Sequence, residues 1–309
     1  MSHVVRNLIE KNQQVYGLQY IINESFLDNA LRTAFVWTKH KHSVCLAMGK
    51  NYLQTALNNP AIQVIITAPH LVDLQKNNAN KSLVLFDEPQ SFFYLLHNTK
   101  ITSDFNESCF ESGIDPTAEI STEAFVSKHV KIGARTKIYP GAIVLDGTEI
   151  GEDCVIHEGC TIGTEGFFSK WINGQKCHVS HHGGVKLGKN CIIHAGTNIS
   201  KSVNSNEFTQ LGDNTHVGIQ SNISHDCQIG ENCDISAKAC LSGRVEIGDN
   251  VWVGASVTIS NNIKIHDGAH LKIGSVVIKD VMTDESVSGN FAMKHSLNMK
   301  EYIGRLKNA

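Results

Sequence analysis

A branched aliphatic residue recurs at every sixth position from Ile114 to Ile162, from Leu187 to Ile199 and from Leu211 to Val277, and this period restricts the fold more than any other feature of the chain. A helix buries one face every 3.6 residues and a strand every two, so neither produces a period of six. The period therefore predicts many short strands joined by corners. The aliphatic positions are Ile114, Ile120, Val126, Ile132, Ile138, Val144, Ile150, Ile156, Ile162, Leu187, Ile193, Ile199, Leu211, Val217, Ile223, Ile229, Ile235, Leu241, Ile247, Val253, Ile259, Ile265, Leu271 and Val277.

A second position of the hexad, four places after the aliphatic residue, is small or β-branched. The members are Ala118, Ala124, Thr136, Ala142, Cys154, Cys160, Cys191, Thr197, Cys227, Cys233 and Ala239. Glycine or serine often follows the aliphatic residue directly, as expected where a chain turns tightly around a narrow core. Each inward aliphatic side chain stabilises such a core by roughly 1.5 to 3 kcal/mol. The five cysteines of this set are expected to be reduced core residues.

This pattern resembles the hexapeptide-repeat family. The resemblance implies a mainly β fold, a left-handed parallel β-helix of triangular section with about three hexads in each turn. We assign residues 111–281 to this β-helix and residues 282–309 to a C-terminal tail, in which Met293–Leu306 has helical spacing.

The first 110 residues have another pattern, in which apolar runs alternate with helical stretches, and we predict a small α/β domain. Asn98–Gly113 is polar and is expected to link it to the β-helix. The predicted strands are Ser43–Met48, Gln63–Thr67 and Ser82–Phe86, and the predicted helices are Phe26–Trp37, Tyr52–Asn58 and Ser91–His97.

The charge balance excludes some classes of function. A net charge of -3 over 309 residues gives no general attraction to nucleic acid or to anionic membranes. The sequence has no apolar run long enough for a membrane span and no export signal, so a cytoplasmic location is expected. Because no Cys-x-x-Cys pair occurs, we expect no structural zinc site and no bound metal.

Two segments interrupt the period, and loops on a rigid scaffold commonly carry ligand sites. The first, residues 163–186, includes Phe167, Phe168, Trp171, His178, His181 and His182. These side chains either form a wall of the substrate pocket or pack on the β-helix or on a neighbouring subunit. The second, Ser200–Gln210, is polar and offers no chemistry of its own.

One histidine stands out from the sixteen in the chain. His225 lies two places after the inward Ile223, so its ring is expected to emerge near a corner instead of entering the core. A neutral imidazole can accept a proton from an attacking amine or hydroxyl, and the carboxylate of Asp226 can hold its tautomer. The pair is a candidate general base.

Residues 221–281 resemble the acetyl-CoA-dependent sugar N-acetyltransferases of the bacillosamine and sialic-acid type. The resemblance implies that His225 is the base, that Asp226 orients it, and that the backbone N–H of Gly243 holds the thioester oxyanion. Residues 288–294 resemble the end of those enzymes, with Phe291 in place of a proline.

The layout of the chain also resembles UDP-3-O-acylglucosamine N-acyltransferases, which combine an α/β domain, a β-helix and a helical tail. Residues 49–52 and 163–167 match motifs of that family. Three positions depart from it: Asn262 replaces its second histidine, Ile219 an asparagine, and Leu46 a stacking phenylalanine. The N-terminal domain either binds the nucleotide, with Tyr52 as a contact, or only caps the coil.

These resemblances imply an N-acyltransferase that moves a short acyl group from acetyl-CoA or another acyl-CoA to the amine of a UDP- or dTDP-linked amino sugar, for cell-surface glycan synthesis. They also imply a homotrimer. We expect coenzyme A to contact Gly254, Ala255, Ser275 and Lys279. Phe167, Phe168, Trp171, His181, His182, Tyr52 and Asn262 are the expected sugar-nucleotide contacts.

Three alternatives remain open. The first alternative is a lipid A pathway enzyme that uses a hydroxyacyl-acyl carrier protein. The second is a γ-class carbonic anhydrase-like metalloenzyme, and the third is a scaffold without activity. The metalloenzyme needs three histidines that converge on zinc, for which His194 and His216 are conceivable ligands.

Overall fold

The residues before the six-residue period form an α/β unit around one sheet. The computed structural model of the chain describes residues 4–73, 80–99, 112–289, 292 and 294–307. The sheet has the order β1-β5-β4-β3-β2, in which only β1 runs antiparallel to its neighbour. Its elements are α1 (Val4–Asn12), β1 (Leu18–Ile22), β2 (Arg32–Ala34), β3 (Ser43–Ala47), α2 (Lys50–Asn58), β4 (Ile62–Thr67), β5 (Ser82–Phe86) and α3 (Pro89–Asn98), with 3-10 turns at Glu24–Asn29 and Pro69–Leu71.

The predicted strands and two of the three predicted helices of this unit are confirmed, but the helix predicted for Phe26–Trp37 is wrong. The chain forms a short 3-10 turn that begins after Asn23, whose side chain accepts the N–H of Ser25. It then enters β2, which pairs in parallel with β3. The apolar spacing of this segment reflects burial against the sheet, and strand pairing overrides its helical pattern.

The six-residue period forms a parallel β-helix, here called the coil. Its strands fall into three parallel sheets that form the faces of a triangular prism. The first face holds β6 (Gly113–Ile114), β9 (Lys131–Ile132), β12 (Thr148–Ile150), β17 (Gly184–Leu187), β20 (Phe208–Leu211), β23 (Gln228–Ile229), β26 (Glu246–Ile247) and β29 (Lys264–Ile265).

The other two faces repeat the arrangement. The second holds β7 (Glu119–Ile120), β10 (Lys137–Ile138), β13 (Val155–Ile156), β18 (Ile192–Ile193), β21 (His216–Val217), β24 (Asp234–Ile235), β27 (Trp252–Val253), β30 (His270–Leu271) and β32 (Ser286–Val287). The third holds β8 (Phe125–Val126), β11 (Ile143–Val144), β14 (Thr161–Thr164), β19 (Asn198–Ser200), β22 (Asn222–Ile223), β25 (Cys240–Leu241), β28 (Thr258–Ile259) and β31 (Val276–Val277).

The aliphatic residues of the period fill the interior of the coil. From Ile132 to Val277 each of them is buried, whereas Ile120 and Val126 are half-buried and Ile114 is 49% exposed on the first turn. The five cysteines predicted to be reduced fillers are buried and free. Cys160, for example, donates its thiol proton to the carbonyl of His194 at 3.1 Å. Small, weakly polar side chains thus pack beneath the corners.

The first interruption, which was predicted as a loop, contains a hairpin before the chain returns to the coil. It contains the antiparallel strands β15 (Ser169–Ile172) and β16 (Gln175–His178), and the coil resumes at β17. Ile172 and Val179 pack into the same apolar cluster as Phe92 and Tyr94 of α3. The hairpin therefore joins the N-terminal unit to the coil.

The coil continues to β32, beyond the predicted boundary at residue 281. A terminal helix, α4 (His295–Lys307), follows, close to the predicted segment. Residues 100–111 of the predicted linker, and Asn290, Phe291 and Met293 of the tail motif, lie outside the described residues. Over the described ranges, no helix has the length and apolar character needed to cross a membrane.

Candidate active site

His225 and Asp226 lie at the corner after β22, where their side chains form a hydrogen-bonded pair. The His225 Nδ1 atom is 2.7 Å from Oδ2 of Asp226. The two side chains are only 8% and 9% exposed. The imidazole is therefore buried. It is covered by the first interruption, residues 163–186, here called the hairpin segment, and not by the aliphatic core of the coil.

The Asp226 carboxylate is fixed by the second interruption of the period. Its Oδ1 atom accepts hydrogen bonds from the Ser202 hydroxyl and, at 3.0 Å, from the backbone N–H of Val203. Burial by itself raises the pKa of Asp226, but the hydrogen bonds from His225, Ser202 and Val203 outweigh it and lower that pKa. The carboxylate is therefore ionised at neutral pH.

An ionised Asp226 determines which nitrogen of His225 carries the proton. A carboxylate only accepts hydrogen bonds, so a neutral imidazole beside it holds its proton on Nδ1 and donates it to Oδ2. Its lone pair is then on Nε2. This tautomer is the one that a general base requires.

Gly243 lies directly against the free edge of the His225 ring. It follows β25, which pairs with β22 one turn earlier in the coil. A Cβ atom on Gly243 would lie 2.6 Å from Cε1 and 2.8 Å from Nε2 of His225, so no side chain fits there. Within the described part of the chain, no group accepts the N–H of Gly243. The candidate base and an amide without an acceptor among the described residues thus lie on adjacent turns.

The hairpin segment covers the other side of the imidazole. The Phe168 ring stacks on that of His225 with centroids 5.4 Å apart, and His181 meets it edge-on at 5.3 Å. Gly166 lies between these residues, and a Cβ there would be 3.0 Å from His225 Cδ2. Burial, followed by the nearby His225, lowers the pKa of His181 to about 4. His181 is therefore neutral at pH 7.

A pocket of about 880 Å³ lies between the N-terminal unit and the coil, next to the pair formed by His225 and Asp226. Both Asp226 and Arg244 line it. Phe35 and Trp37 stack on each other at its N-terminal wall with centroids 5.2 Å apart. The Arg244 guanidinium lies 5.0 Å from the Phe35 ring centroid, and its buried Nε atom has no hydrogen-bond partner among the described residues. The pocket thus combines aromatic faces with a cationic side chain.

The predicted sugar-nucleotide contacts fall into three groups. Tyr52 and Asn262 line the pocket, and Phe168 and His181 cover His225. Phe167 is 90% and Trp171 67% exposed and neither lines the pocket, so their contact with the substrate stays a prediction. The side chains of neighbouring residues in the hairpin point to opposite faces, so Phe168 and Ile172 face inward where Phe167 and Trp171 face solvent.

His182 does not line the pocket either, because it lies against His97 of α3. Its Nε2 atom hydrogen bonds to the carbonyl of His97 at 2.9 Å, and the two rings lie 4.7 Å apart. His97 in turn contacts the Ser180 carbonyl through Nε2 at 2.8 Å. This pair links α3 to the hairpin segment, and the substrate contact predicted for His182 stays a prediction.

The predicted coenzyme A contacts lie further along the coil, outside the pocket. Gly254 and Ala255 follow β27, and Ser275 precedes β31. Ser275 is buried and donates to the Lys272 carbonyl at 2.6 Å, whereas Lys279 is exposed. These four contacts stay a prediction.

Three residues of the site were missed from the sequence: Ser202, Trp37 and Arg244. Ser202 belongs to an interruption interpreted as inert, yet it lies one turn before Asp226 and binds its carboxylate. Trp37 was predicted to end a helix that the structure does not contain. Arg244 directly follows Gly243, the predicted oxyanion donor, and this adjacency was the available signal.

Comparison with known proteins agrees with the fold. The family model described as bacterial transferase hexapeptide (six repeats) matches residues 129–164 and 208–243. A second model, the hexapeptide repeat of succinyl-transferase, matches residues 174–201 and 244–279. A solved UDP-N-acetylglucosamine acyltransferase from Campylobacter jejuni is similar at a TM-score of 0.48 and 27% identity, covering 63% of this chain and 81% of that one.

Two curated relatives extend the comparison. A UDP-3-O-acylglucosamine N-acyltransferase from Polynucleobacter asymbioticus is 31% identical over 106 residues, which is 33% of this chain but only 29% of that relative's length. An acyl-[acyl-carrier-protein]–UDP-N-acetylglucosamine O-acyltransferase from Psychrobacter sp. is 41% identical over 207 residues, 66% of this chain and 74% of the relative. The chain belongs to the hexapeptide-repeat acyltransferases, whose fold is the left-handed parallel β-helix.

Proposed function

We propose that this protein transfers a short acyl group from acyl-CoA to the amino group of a nucleotide-linked amino sugar. The observation that carries the proposal is the pairing of the His225 ring edge with Gly243, beside a pocket of about 880 Å³. Both curated relatives are named for acyl transfer to UDP-linked glucosamine derivatives. A role in cell-surface glycan synthesis is part of the proposal.

In this mechanism His225 acts as a general base through Nε2. As the sugar nitrogen attacks the thioester carbonyl, Nε2 accepts a proton from that nitrogen. Asp226 stabilises the imidazolium that forms, and the Gly243 N–H stabilises the oxyanion. The tetrahedral intermediate collapses, the C–S bond breaks, and the coenzyme A thiolate receives the proton from the imidazolium. Because a thioester is already activated, no covalent enzyme intermediate is required.

The acceptor would occupy the pocket beside Asp226. The Phe35–Trp37 pair offers an aromatic face for a nucleotide base. The Arg244 guanidinium and the amine of Lys39 can offset the charge of a diphosphate, whereas the Lys264 amine pairs with Glu246 at 2.8 Å. These features favour nucleotide binding by the N-terminal unit over a purely capping role.

The donor has a second candidate. The Psychrobacter relative is named for an acyl-acyl carrier protein donor, which favours the lipid A type of reaction as the alternative. We retain the homotrimer as part of the proposal, with the donor bound where two coils meet. Size-exclusion chromatography with light scattering measures the assembly, and a monomer would contradict this part.

The test is a direct assay of product. Purified protein is incubated with UDP- or dTDP-linked amino sugars and with either acetyl-CoA or a hydroxyacyl-acyl carrier protein, and the acylated sugar is detected by mass spectrometry. We expect product with acetyl-CoA and a loss of about 10² to 10⁴ in turnover for His225→Ala and His225→Asn. Unchanged turnover in folded variants would exclude His225 as the base. Product only with the carrier protein would establish the alternative donor.

A further inference from the structure

The hairpin segment, also called the loop below, covers His225. It brings together three side chains that can bind a metal ion, from separate parts of its sequence. Glu165 follows β14, His178 ends β16, and His181 lies in the segment that returns to the coil. One ligand atom of each residue lies within 4.8 Å of those of the other two. The hairpin β15–β16 creates this proximity by folding the segment back on itself.

Glu165 is held as an anion between the two histidines. Its Oε2 atom lies 2.6 Å from Nε2 of His178, and its Oε1 atom accepts the backbone N–H of His181 at 3.2 Å. Burial raises the pKa of Glu165, but the hydrogen bonds from His181 and His178 outweigh burial and lower it. An ionised carboxylate next to imidazole is a common arrangement of metal ligands.

His181 has a buried lone pair that nothing in the described chain uses. Its Nδ1 atom lies 2.9 Å from the Val179 carbonyl, which can only accept, so Nδ1 carries the proton. The lone pair is therefore on Nε2, which is buried without a hydrogen-bond partner among the described residues. The residue is 2% exposed. A buried polar atom of this kind calls for a partner.

We propose that Glu165, His178 and His181 bind one divalent transition-metal ion, with zinc as the best match to the ligands. Two imidazoles and one carboxylate form an established zinc set that leaves a fourth position for water. The Val179 carbonyl accepts the Nδ1–H of His181 and so orients its ring, as backbone carbonyls do for ligating histidines. The ion replaces the direct hydrogen bond between His178 and Glu165.

The metal clamps the loop over the candidate base. It ties the start of the loop at Glu165 to its end at His181, and Phe168, which stacks on His225, lies between these points. This inference is independent of the acyl-transfer proposal, because it concerns the loop alone. It departs from the expectation of no metal, which rested on the absence of cysteine pairs, whereas these ligands converge only through the hairpin.

The test measures metal binding directly. Tag-free full-length protein is treated with chelator and titrated with Co²⁺, and the visible absorption of the bound ion is followed. We expect saturation at one Co²⁺ per chain, displacement by Zn²⁺, and a higher melting temperature with Zn²⁺ present. Limited proteolysis of the loop should become slower when the metal is bound.

Two variants and one control assign the site. Glu165→Gln keeps the shape of the side chain, and His178→Ala removes a half-exposed ring, so both should fold, as circular dichroism verifies. Each should weaken Co²⁺ binding at least tenfold. His270→Ala, which removes an exposed histidine of β30, should leave binding unchanged. Absence of Co²⁺ absorption in the unaltered protein, or equal binding by both variants, would overturn the inference.

Discussion

Replacing Gly243 with alanine tests the contact between the coil and the candidate base. The added Cβ would lie 2.6 Å from Cε1 and 2.8 Å from Nε2 of His225, whereas carbon atoms in contact normally stay about 3.5–4.0 Å apart. The ring or the backbone must therefore move by about 1 Å. The methyl group would also cover Nε2, the proposed proton acceptor.

We expect Gly243→Ala to lower kcat at least about 10²-fold, the usual cost of losing a general base or an oxyanion donor. Gly243 does not have a positive φ, so alanine adds no backbone strain. The cost to the free energy of unfolding should stay within about 1–3 kcal/mol, as for other overpacked sites. Product formation is measured by mass spectrometry and stability by chemical denaturation.

Gly113→Ala is the matched control, because a Cβ there meets no atom within 4 Å. It should change neither kcat nor stability. If folded Gly243→Ala keeps kcat within about twofold of the unaltered protein, the proposed contact between the His225 ring and the reacting amine is wrong.

Three further predictions concern the same region. Asp226→Asn should lower kcat about 10²-fold or more, because an amide no longer selects the Nδ1–H tautomer or stabilises the imidazolium; steady-state kinetics measures this loss. Trp37→Ala should raise KM for the nucleotide sugar about tenfold, since base stacking is worth ~1–3 kcal/mol, whereas the exposed Trp171→Ala should not. Burial lowers the pKa of both His181 and His97 from 6.5 to about 4, so the unfolded chain binds protons there first as the pH falls. The contribution of these histidines to the free energy of unfolding should thus be fully present above pH 6.5. It should fall by roughly 3 kcal/mol per histidine as the pH is lowered towards 4, and urea denaturation measures this fall.

The outcomes that would contradict these predictions are specific. Equal kcat for Asp226→Asn would show that the carboxylate does not set the tautomer. An unchanged KM for Trp37→Ala would exclude the aromatic pair from nucleotide binding. If the free energy of unfolding of the His97→Gln variant falls with acid as steeply as that of the unaltered protein, this buried histidine does not contribute to the acid sensitivity.

The coil was predictable from the sequence because each turn repeats the same local rule. An aliphatic residue such as Ile223 faces inward whatever the distant parts of the chain do. The segment around Phe35 was not predictable in this way, because its strand forms only against β3. Local apolar spacing alone cannot separate a short helix from a buried strand.

The candidate site was predicted in part for a similar reason. His225, Asp226 and Gly243 belong to the regular coil, so their register brings them together. The pocket walls come from the irregular segments, and residues such as Ser202 reach the site only through long-range packing. Phe167 and Phe168 were both predicted as contacts, yet only Phe168 stacks on His225, because neighbouring side chains of an extended segment point to opposite faces.

The pairing of β22 with β25 has a consequence for how such proteins change length. Each layer of the coil touches only the layers above and below it, so whole layers can be gained or lost near either end without disturbing the rest. The spacing of 18 residues between Gly243 and His225 is different, because it equals one layer. An extra layer inserted there would part the proton acceptor from the amide by the thickness of a strand, about 4.8 Å. Variation in the height of the prism is thus tolerated near its ends, whereas the step between residues 225 and 243 must stay one layer thick.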